Sequence, residues 1–217
     1  MGRLAAVDNA ILTATHGGLI KRPPPLLVGV SKTHSATTIE EAITAGVHAF
    51  GENKVQEAEA KWPALKARYP HVELHLIGPL QSNKAADAVA LFDVIQTIDR
   101  PKIADAVAKE ASKQAREITA LIQVNVGEEV QKAGVLPRDL KRLLDHCRDI
   151  GLHISGLMCI PPAGQNPAPY FALMQQMATR HGLKEISMGM SGDYVTAIRF
   201  GATMIRVGTA LFGERVA

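Results

Sequence analysis

The sequence contains few cysteines and no long apolar run. Cys147 and Cys159 are the only two cysteines among 217 residues, and their spacing does not match any CxxC motif. We therefore predict two buried, reduced thiols, as is usual in the cytosol, and no disulfide framework. No segment approaches the roughly 18 apolar residues that a membrane-spanning helix needs. The N-terminal stretch is interrupted by Asp8, Asn9 and His16, where a signal peptide would be apolar. We expect a cytoplasmic protein with no membrane contact.

The sequence also has few aromatic residues and only a small excess of positive charge. Phe, Trp and Tyr make up 4% of the chain, and 24 basic residues are interleaved with 21 acidic ones, for a net charge of +3. A basic surface with aromatic residues that stack on bases is therefore not predicted, and we expect no nucleic-acid partner. The histidines are scattered, and on a strand His71 and His75 would be about 13 Å apart. We predict no metal site.

What the sequence does have is a repeated alternation of strand-like and helix-like segments. After the prolines of "KRPPP", the apolar run 26–30 is typical of a buried strand. The following "TTIEEAITAG" has a helical stripe, and Thr37 and Glu40 have the spacing of a capping box. Seven more strand-like segments follow, each with a helical pattern after it: 49–52, 74–78, 94–98, 120–126, 154–160, 185–190 and 204–208. The four residues 49–52 are the weakest of these predictions.

This alternation predicts the fold. Continuous apolar strands are typical of a parallel sheet covered on both faces, and eight strand–helix units indicate a single (β/α)8 TIM barrel of the α/β class. We predict one domain over 1–217, with 1–25 as a helical or extended lead-in. The structural alternative is an open, doubly wound sheet.

Candidate site residues follow the predicted strands, where such barrels carry their chemistry. "GMSGD" (189–193) and "RVGTALFG" (206–213) place glycines and hydroxyls just after strands seven and eight. Glycines let backbone N–H groups approach an anion, and these two loops often bind phosphate, although the same glycines could simply form tight turns.

Lys32 and Arg206 make the prediction more specific. Arg206 interrupts an otherwise apolar strand, so it needs either a carboxylate of the protein or an acceptor atom on a ligand. Lys32 follows the first strand, where desolvation would lower the pKa of its amine and favour a Schiff base with an aldehyde. An amine, a phosphate site and an arginine together suit pyridoxal 5'-phosphate (PLP). A sugar-phosphate aldolase is the alternative, but its substrate has no ring nitrogen for Arg206.

Six segments carry a family resemblance: "VGVSKTH", "FGENKVQE", "HLIGPLQSNK", "GLMCIPP", "SMGMSGDYVTAI" and "GATMIRVGTALFG". In this order they resemble the motifs of the pyridoxal phosphate homeostasis proteins, which are similar to the barrel domain of fold-type III enzymes such as alanine racemase. The resemblance covers the chain from Leu26 to Gly213. It implies a Schiff base on Lys32 and a contact of Arg206 with the pyridine nitrogen. It further implies a cofactor site completed by Asn53 beside the cofactor and by Ser191, Gly208 and Thr209 at the phosphate.

The sequence departs from the family pattern at the predicted rim. His34 and Ser35 stand where the family usually has a lysine–proline pair, and Lys54 replaces a frequent tyrosine.

The resemblance implies a protein of intracellular PLP homeostasis that stores, delivers or buffers the cofactor without strong catalysis. An arginine cannot give its proton to the ring nitrogen, which leaves the ring a poorer electron sink. The racemases also take a second acid–base tyrosine from an additional domain, whereas this sequence ends at Ala217. The alternative is a minimal PLP-dependent amino-acid racemase that uses Tyr194 or a water as its second base. We expect a monomer or weak dimer, with PLP-dependent apoenzymes as candidate partners.

Overall fold

Eight parallel strands close into a barrel. The structure is a computed structural model that describes residues 2–214, so the predicted domain ends at 1 and 217 lie outside the described residues. Each strand pairs with the next along the chain, and the last pairs with the first. The strands are β1 (Leu26–Val30), β2 (Ala49–Glu52), β3 (Glu73–Leu76), β4 (Val94–Ile98), β5 (Thr119–Val124), β6 (Ile154–Cys159), β7 (Glu185–Ser187) and β8 (Met204–Val207). The predicted (β/α)8 barrel is confirmed, and the open sheet is excluded.

Helices cover the outside of the barrel. They are α1 (Gly2–His16), α2 (Ala36–Thr44), α3 (Val55–Glu59), α4 (Trp62–Arg68), α5 (Ala85–Leu91), α6 (Pro101–Lys113), α7 (Leu140–Asp149), α8 (Ala168–Arg180), α9 (Tyr194–Arg199) and α10 (Thr209–Phe212). The N-terminal α1 packs on α9 and α10 through its buried face of Val7, Ile11 and Ala14.

Several local predictions are wrong in detail. Strand β3 ends at Leu76 rather than at 78, and β5 ends at Val124 rather than at 126. The seventh strand ends at Ser187 rather than at 190, because Gly189 adopts φ +92 and the amide of Met190 turns back to the carboxylate of Asp193. The apolar run therefore continues from the strand into a loop, which periodicity does not distinguish.

The cap of α2 also differs from the prediction. Ser35 is the N-cap, and its Oγ accepts a hydrogen bond from the Thr38 amide at 3.2 Å. Thr37 lies inside the helix, and Glu40 pairs with Arg68 instead of closing a capping box. The N-cap therefore lies two residues earlier than predicted, because the side chain of Ser35 is available to cap the helix.

The barrel interior contains both apolar and polar side chains. Val94, Leu121, Met158 and Met204 form an apolar cluster that is separate from the larger core between strands and helices. Several fully or almost fully buried polar side chains belong to the strands and to the residues directly after them: Ser31, Glu52, His75, Gln96, Ser187 and Arg206. Burial at this level requires hydrogen-bond partners, and these partners connect the interior to the site at the barrel mouth.

Across residues 2–214, no helix combines the length and the apolar character that crossing a bilayer requires.

Candidate functional site

A cavity of about 310 Å³ lies at the carboxyl ends of the strands. This volume is at the lower end of the roughly 300–1,000 Å³ range of small-molecule sites. Six residues predicted from the sequence line this one cavity: Lys32, Asn53, Ser191, Arg206, Gly208 and Thr209. They come from both ends of the chain, and closure of the barrel between β8 and β1 brings them together.

Lys32 stands in a loop that is fixed on both sides. On one side, Ser31 is fully buried, and its hydroxyl donates to Oε1 of Glu52 at 2.6 Å. On the other side, Thr33 has φ +67, a conformation that β-branched residues rarely adopt. Its amide donates to the carboxylate of Glu57. Strained backbone held by specific contacts is frequent at functional sites.

Lys61 connects these anchors. Its ammonium lies 2.9 Å from Glu52 and 3.2 Å from Glu57, and it donates to the backbone carbonyl of Ser31 at 3.0 Å. The indole N–H of Trp62 donates to the same oxygen of Glu52 at 3.0 Å, while Glu52 Oε2 has no partner in the described residues. Lys61 therefore holds the backbone one residue before Lys32.

The electrostatics of this cluster favour an ionised Glu57. Burial alone would raise the pKa of Glu57, but hydrogen bonds from the Thr33 amide and from Lys61, together with the lysine charges nearby, lower it below its usual value. Glu57 remains a carboxylate at neutral pH and keeps its hold on the loop.

The loops after β7 and β8 bring hydrogen-bond donors together. The backbone amides of Gly208 and Ala210 both point at Oγ of Ser191, at 3.2 and 3.4 Å. A Cβ on Gly192 would meet no atom within 4 Å, so this side of the cavity is open. Two amides and one hydroxyl at one place are suited to an anion such as a phosphate.

Arg206 is buried without a carboxylate partner among its hydrogen bonds. It is 3% exposed, and its two Nη atoms donate to Oγ of Ser187 at 2.7 Å and to the backbone carbonyl of Cys159 at 2.8 Å. Burial lowers the pKa of Arg206, although the neighbouring Cys159 and Asp193 oppose this effect. A guanidinium still stays protonated, so Arg206 is a donor with no acceptor capacity.

The remaining candidates are placed differently. Tyr194 begins α9, is half-buried, and is not among the residues that line the cavity in the described part of the chain. Of the three departures at the rim, His34 lines the cavity, and its ring lies 4.7 Å from that of Phe212. Ser35 caps α2, and Lys54 is exposed and precedes α3.

Within residues 2–214, no three His, Cys, Asp or Glu side chains are grouped to hold a metal ion.

The apolar walls of the cavity and one glycine beside it were not predicted from the sequence. Val30, Ile77, Ile160 and Met190 also line the cavity. Gly78 belongs to the "IGPLQSNK" segment, and a Cβ there would collide with the backbone of Asn53. Because Gly78 has no side chain, the segment that follows β3 can pass close to Asn53, which lines the cavity. A glycine at the end of the predicted strand 74–78 was the only signal for this role.

Comparison with known proteins identifies similar sequences over most of the chain. The alanine racemase N-terminal domain family matches residues 19–216. The pyridoxal phosphate homeostasis protein of Aquifex aeolicus is 40% identical over 199 residues, which cover 87% of this chain and 86% of that protein. The protein of the same name from Haemophilus influenzae is 38% identical over 200 residues, 87% of this chain and 84% of the relative.

A solved structure is similar over its whole length. PipY of Synechococcus elongatus PCC7942 with PLP bound superposes with a TM-score of 0.83 at 37% identity, and the alignment covers 98% of this chain and 99% of that one. The family resemblance inferred from the six motifs is thereby confirmed.

Proposed function

The chain belongs to the family of pyridoxal phosphate homeostasis proteins, whose barrel is of the alanine racemase N-terminal type, and from this premise we propose that its cavity binds PLP through Lys32 and serves to store, deliver or buffer the cofactor. When bound, PLP supplies an aldehyde that condenses with a lysine amine with loss of water. The observation that carries the proposal is that an amine, an anion site and a buried arginine line one cavity.

The amine meets the first requirement. Lys32 lines the cavity, and the bonds of Ser31 to Glu52 and of Thr33 to Glu57 hold the backbone on both sides of it. Fixing the backbone limits the positions that the amine can reach, which reduces the entropy lost when the ligand is bound.

The anion site meets the second requirement. Ser191, Gly208 and Thr209 line the same cavity, and the amides of Gly208 and Ala210 already converge on the Ser191 hydroxyl oxygen. A phosphate oxygen could take the place of that hydroxyl as their acceptor, while the hydroxyl becomes a further donor to the phosphate.

Arg206 meets the third requirement. A pyridine nitrogen without a proton accepts a hydrogen bond, and Arg206 has only donors to offer. Since Ser187 and Cys159 are neutral acceptors, no carboxylate contact has to be broken for the guanidinium to meet a ligand. A sugar phosphate has no ring nitrogen to accept a hydrogen bond from Arg206, so PLP fits better.

The rim supports delivery to other proteins. Met190 is 37% exposed at the cavity, and Gly192 and Thr209 are exposed beside it. A bound cofactor would therefore be close to solvent and to an approaching apoenzyme.

Direct delivery can be tested with a phosphatase that destroys free PLP. Loaded protein should still reactivate a PLP-dependent apoenzyme when this phosphatase is present. If all reactivation stops when the phosphatase is added, direct delivery is excluded.

The alternative of an amino-acid racemase has less support. Tyr194, its candidate second base, does not line the cavity in the described residues. Incubation of the loaded protein with L-alanine in heavy water separates the two functions. A binding protein leaves the α-hydrogen in place, whereas deuterium at the α-carbon would favour the racemase.

The binding itself is tested by replacing Lys32. We expect Lys32→Ala to retain at least about tenfold less PLP through gel filtration than the wild type, because the covalent attachment is lost. Lys84→Ala is the matched control, since Lys84 is half-buried, pairs with Asp87 and does not line the cavity. Undiminished PLP on Lys32→Ala would contradict the proposal.

A further inference from the structure

A continuous chain of hydrogen-bonded side chains crosses the barrel interior from the cavity to the opposite end. Arg206 donates to Oγ of Ser187 at 2.7 Å, and the Ser187 hydroxyl donates to Oε1 of Gln96 at 2.6 Å. Nε2 of Gln96 lies 2.8 Å from Nδ1 of His75, and Nε2 of His75 lies 3.4 Å from Oε2 of Glu73. The three middle residues are fully buried, whereas the side chain of Glu73 is 58% exposed.

The chain links strands that are distant in the sequence. Ser187 and Gln96 belong to β7 and β4, which are not neighbours in the barrel, so their hydrogen bond spans the interior. Glu73 is the first residue of β3, at the amino-terminal end of the barrel, and Arg206 lines the cavity at the other end. The polar groups therefore connect the two ends of the barrel.

The two ends of the chain set the directions of its hydrogen bonds, because Arg206 only donates and the carboxylate of Glu73 only accepts. An ionised carboxylate only accepts, so we assign a ring proton to Nε2 of His75 and leave Nδ1 as the acceptor for the Gln96 amide. Gln96 must turn its amide N–H towards Nδ1 and its carbonyl towards Ser187. The Ser187 hydroxyl donates to that carbonyl and keeps a lone pair for Arg206.

The reversed order is less favourable. It would place the unprotonated Nε2 of His75 against the carboxylate of Glu73. The hydrogen bond from His75 is also the main reason that the pKa of Glu73 lies below its usual value. The ordered dipoles turn their negative ends towards Arg206, and in a low-dielectric interior such alignment strengthens each bond.

We propose that Ser187, Gln96 and His75 are positioning residues for Arg206, and that together they hold the buried guanidinium in the orientation in which it meets the ring nitrogen of the ligand. The inference rests on the proposed function, because the ligand must be PLP for the ring nitrogen to matter. None of these three residues lines the cavity in the described part of the chain. Their effect reaches it only through Arg206.

The neighbouring Thr97 provides a matched control. It is 1% exposed on the same strand as Gln96, and its hydroxyl has no hydrogen-bond partner in the described residues. Thr97→Val removes a buried polar group of β4 that is outside the chain, with little change in shape.

The test compares PLP binding by apoprotein variants. Gln96→Met removes both hydrogen-bonding ends at similar length, and His75→Leu removes the acceptor for Gln96. We expect each to raise the Kd for PLP about tenfold and to shift the visible absorption band of the bound cofactor, because the guanidinium loses its fixed orientation. His75→Gln, which keeps an acceptor for the Gln96 amide, should stay within about threefold of the wild type, and Thr97→Val within about twofold.

Several outcomes would overturn the inference. A purely structural role would lower the melting temperature of the apoprotein but leave the Kd and the absorption band of the folded protein unchanged. Since Gln96→Met could fail to fold, Ser187→Ala is measured beside it, and an unchanged Kd and band in Ser187→Ala also contradict the chain. If the wild type binds PLP and the variants match it, this inference alone fails. If the wild type binds no PLP, the proposed function fails as well.

Discussion

Nζ of Lys61 lies 2.9 Å from Oε1 of Glu52, and the same ammonium holds the backbone carbonyl of Ser31 at 3.0 Å. The carboxylate is fully buried, and the lysine side chain is 12% exposed. A buried ion pair is thus attached directly to the segment that presents Lys32. The position of the Lys32 backbone therefore depends on an ion pair whose two residues are not among those that line the cavity in the described part of the chain.

Loss of Lys61 should therefore destabilise the protein. Lys61→Met leaves Glu52 buried without a counter-charge, which typically costs about 3–5 kcal/mol of unfolding free energy. Urea denaturation measures this cost. The double variant Lys61→Met/Glu52→Gln should recover a large part of it, because it removes the unpaired charge. Lys113→Met is the control: its side chain is 70% exposed in a surface pair, and we expect a change within about 0.5 kcal/mol. A small effect of Lys61→Met alone would contradict this account.

Acid should release the loop through Glu57. The pKa of Glu57 is lowered in the folded state, so its contribution to stability is fully present above the unfolded value of 4.5 and is lost as the pH falls from there through the folded pKa. The unfolding free energy of Glu57→Gln should therefore decrease less than that of the wild type below pH 4.5. Urea titrations at several pH values measure these unfolding free energies. If the unfolding free energies of the wild type and of Glu57→Gln depend on pH in the same way, Glu57 does not contribute.

Ser191 should matter for a phosphorylated ligand only. Its hydroxyl lies at the amides of Gly208 and Ala210, where we place the phosphate. Ser191→Ala removes one donor, and we expect the Kd for PLP to rise about three- to tenfold while the Kd for pyridoxal, which lacks the phosphate, is unchanged. Ser155→Ala is the control, because Ser155 is similarly half-buried and donates to the carbonyl of Ala120, away from the cavity. Equal losses for both ligands would contradict a phosphate at Ser191.

The two thiols should be unreactive in the folded protein. Burial raises the pKa of Cys147 to about 11 and that of Cys159 to about 12, so almost no thiolate is present at neutral pH. A thiol reagent should modify neither cysteine in the native protein and both cysteines in the denatured protein. Rapid reaction of native protein would show that at least one of the two is accessible.

The fold was predictable because buried strands and amphipathic helices alternate without interruption. Even the four residues Ala49–Glu52 form a strand, since all four are buried between covered faces. The end of the seventh strand was not predictable, because the apolar run continues past Gly189, where the backbone turns.

The cavity residues were predictable where the chemistry is unusual for the position. Lys32 after a strand and Arg206 within one are residues that burial makes costly without a partner. The groups that support them were harder to find. The spacing of Glu57 and Lys61 matches an i,i+4 pair, which would have been a usable signal. The bond from Gln96 to Ser187 joins residues 91 positions apart across the barrel, and no local pattern predicts such a contact.

Reduction of the loaded protein with borohydride is the most direct test of the covalent bond that we propose between Lys32 and the aldehyde carbon of PLP. Reduction makes the bond permanent, and peptide mass mapping then locates it. We predict that the label lies on the peptide containing Lys32 and is absent from Lys32→Ala. A label on another lysine such as Lys84, or no label on loaded protein, would contradict the account.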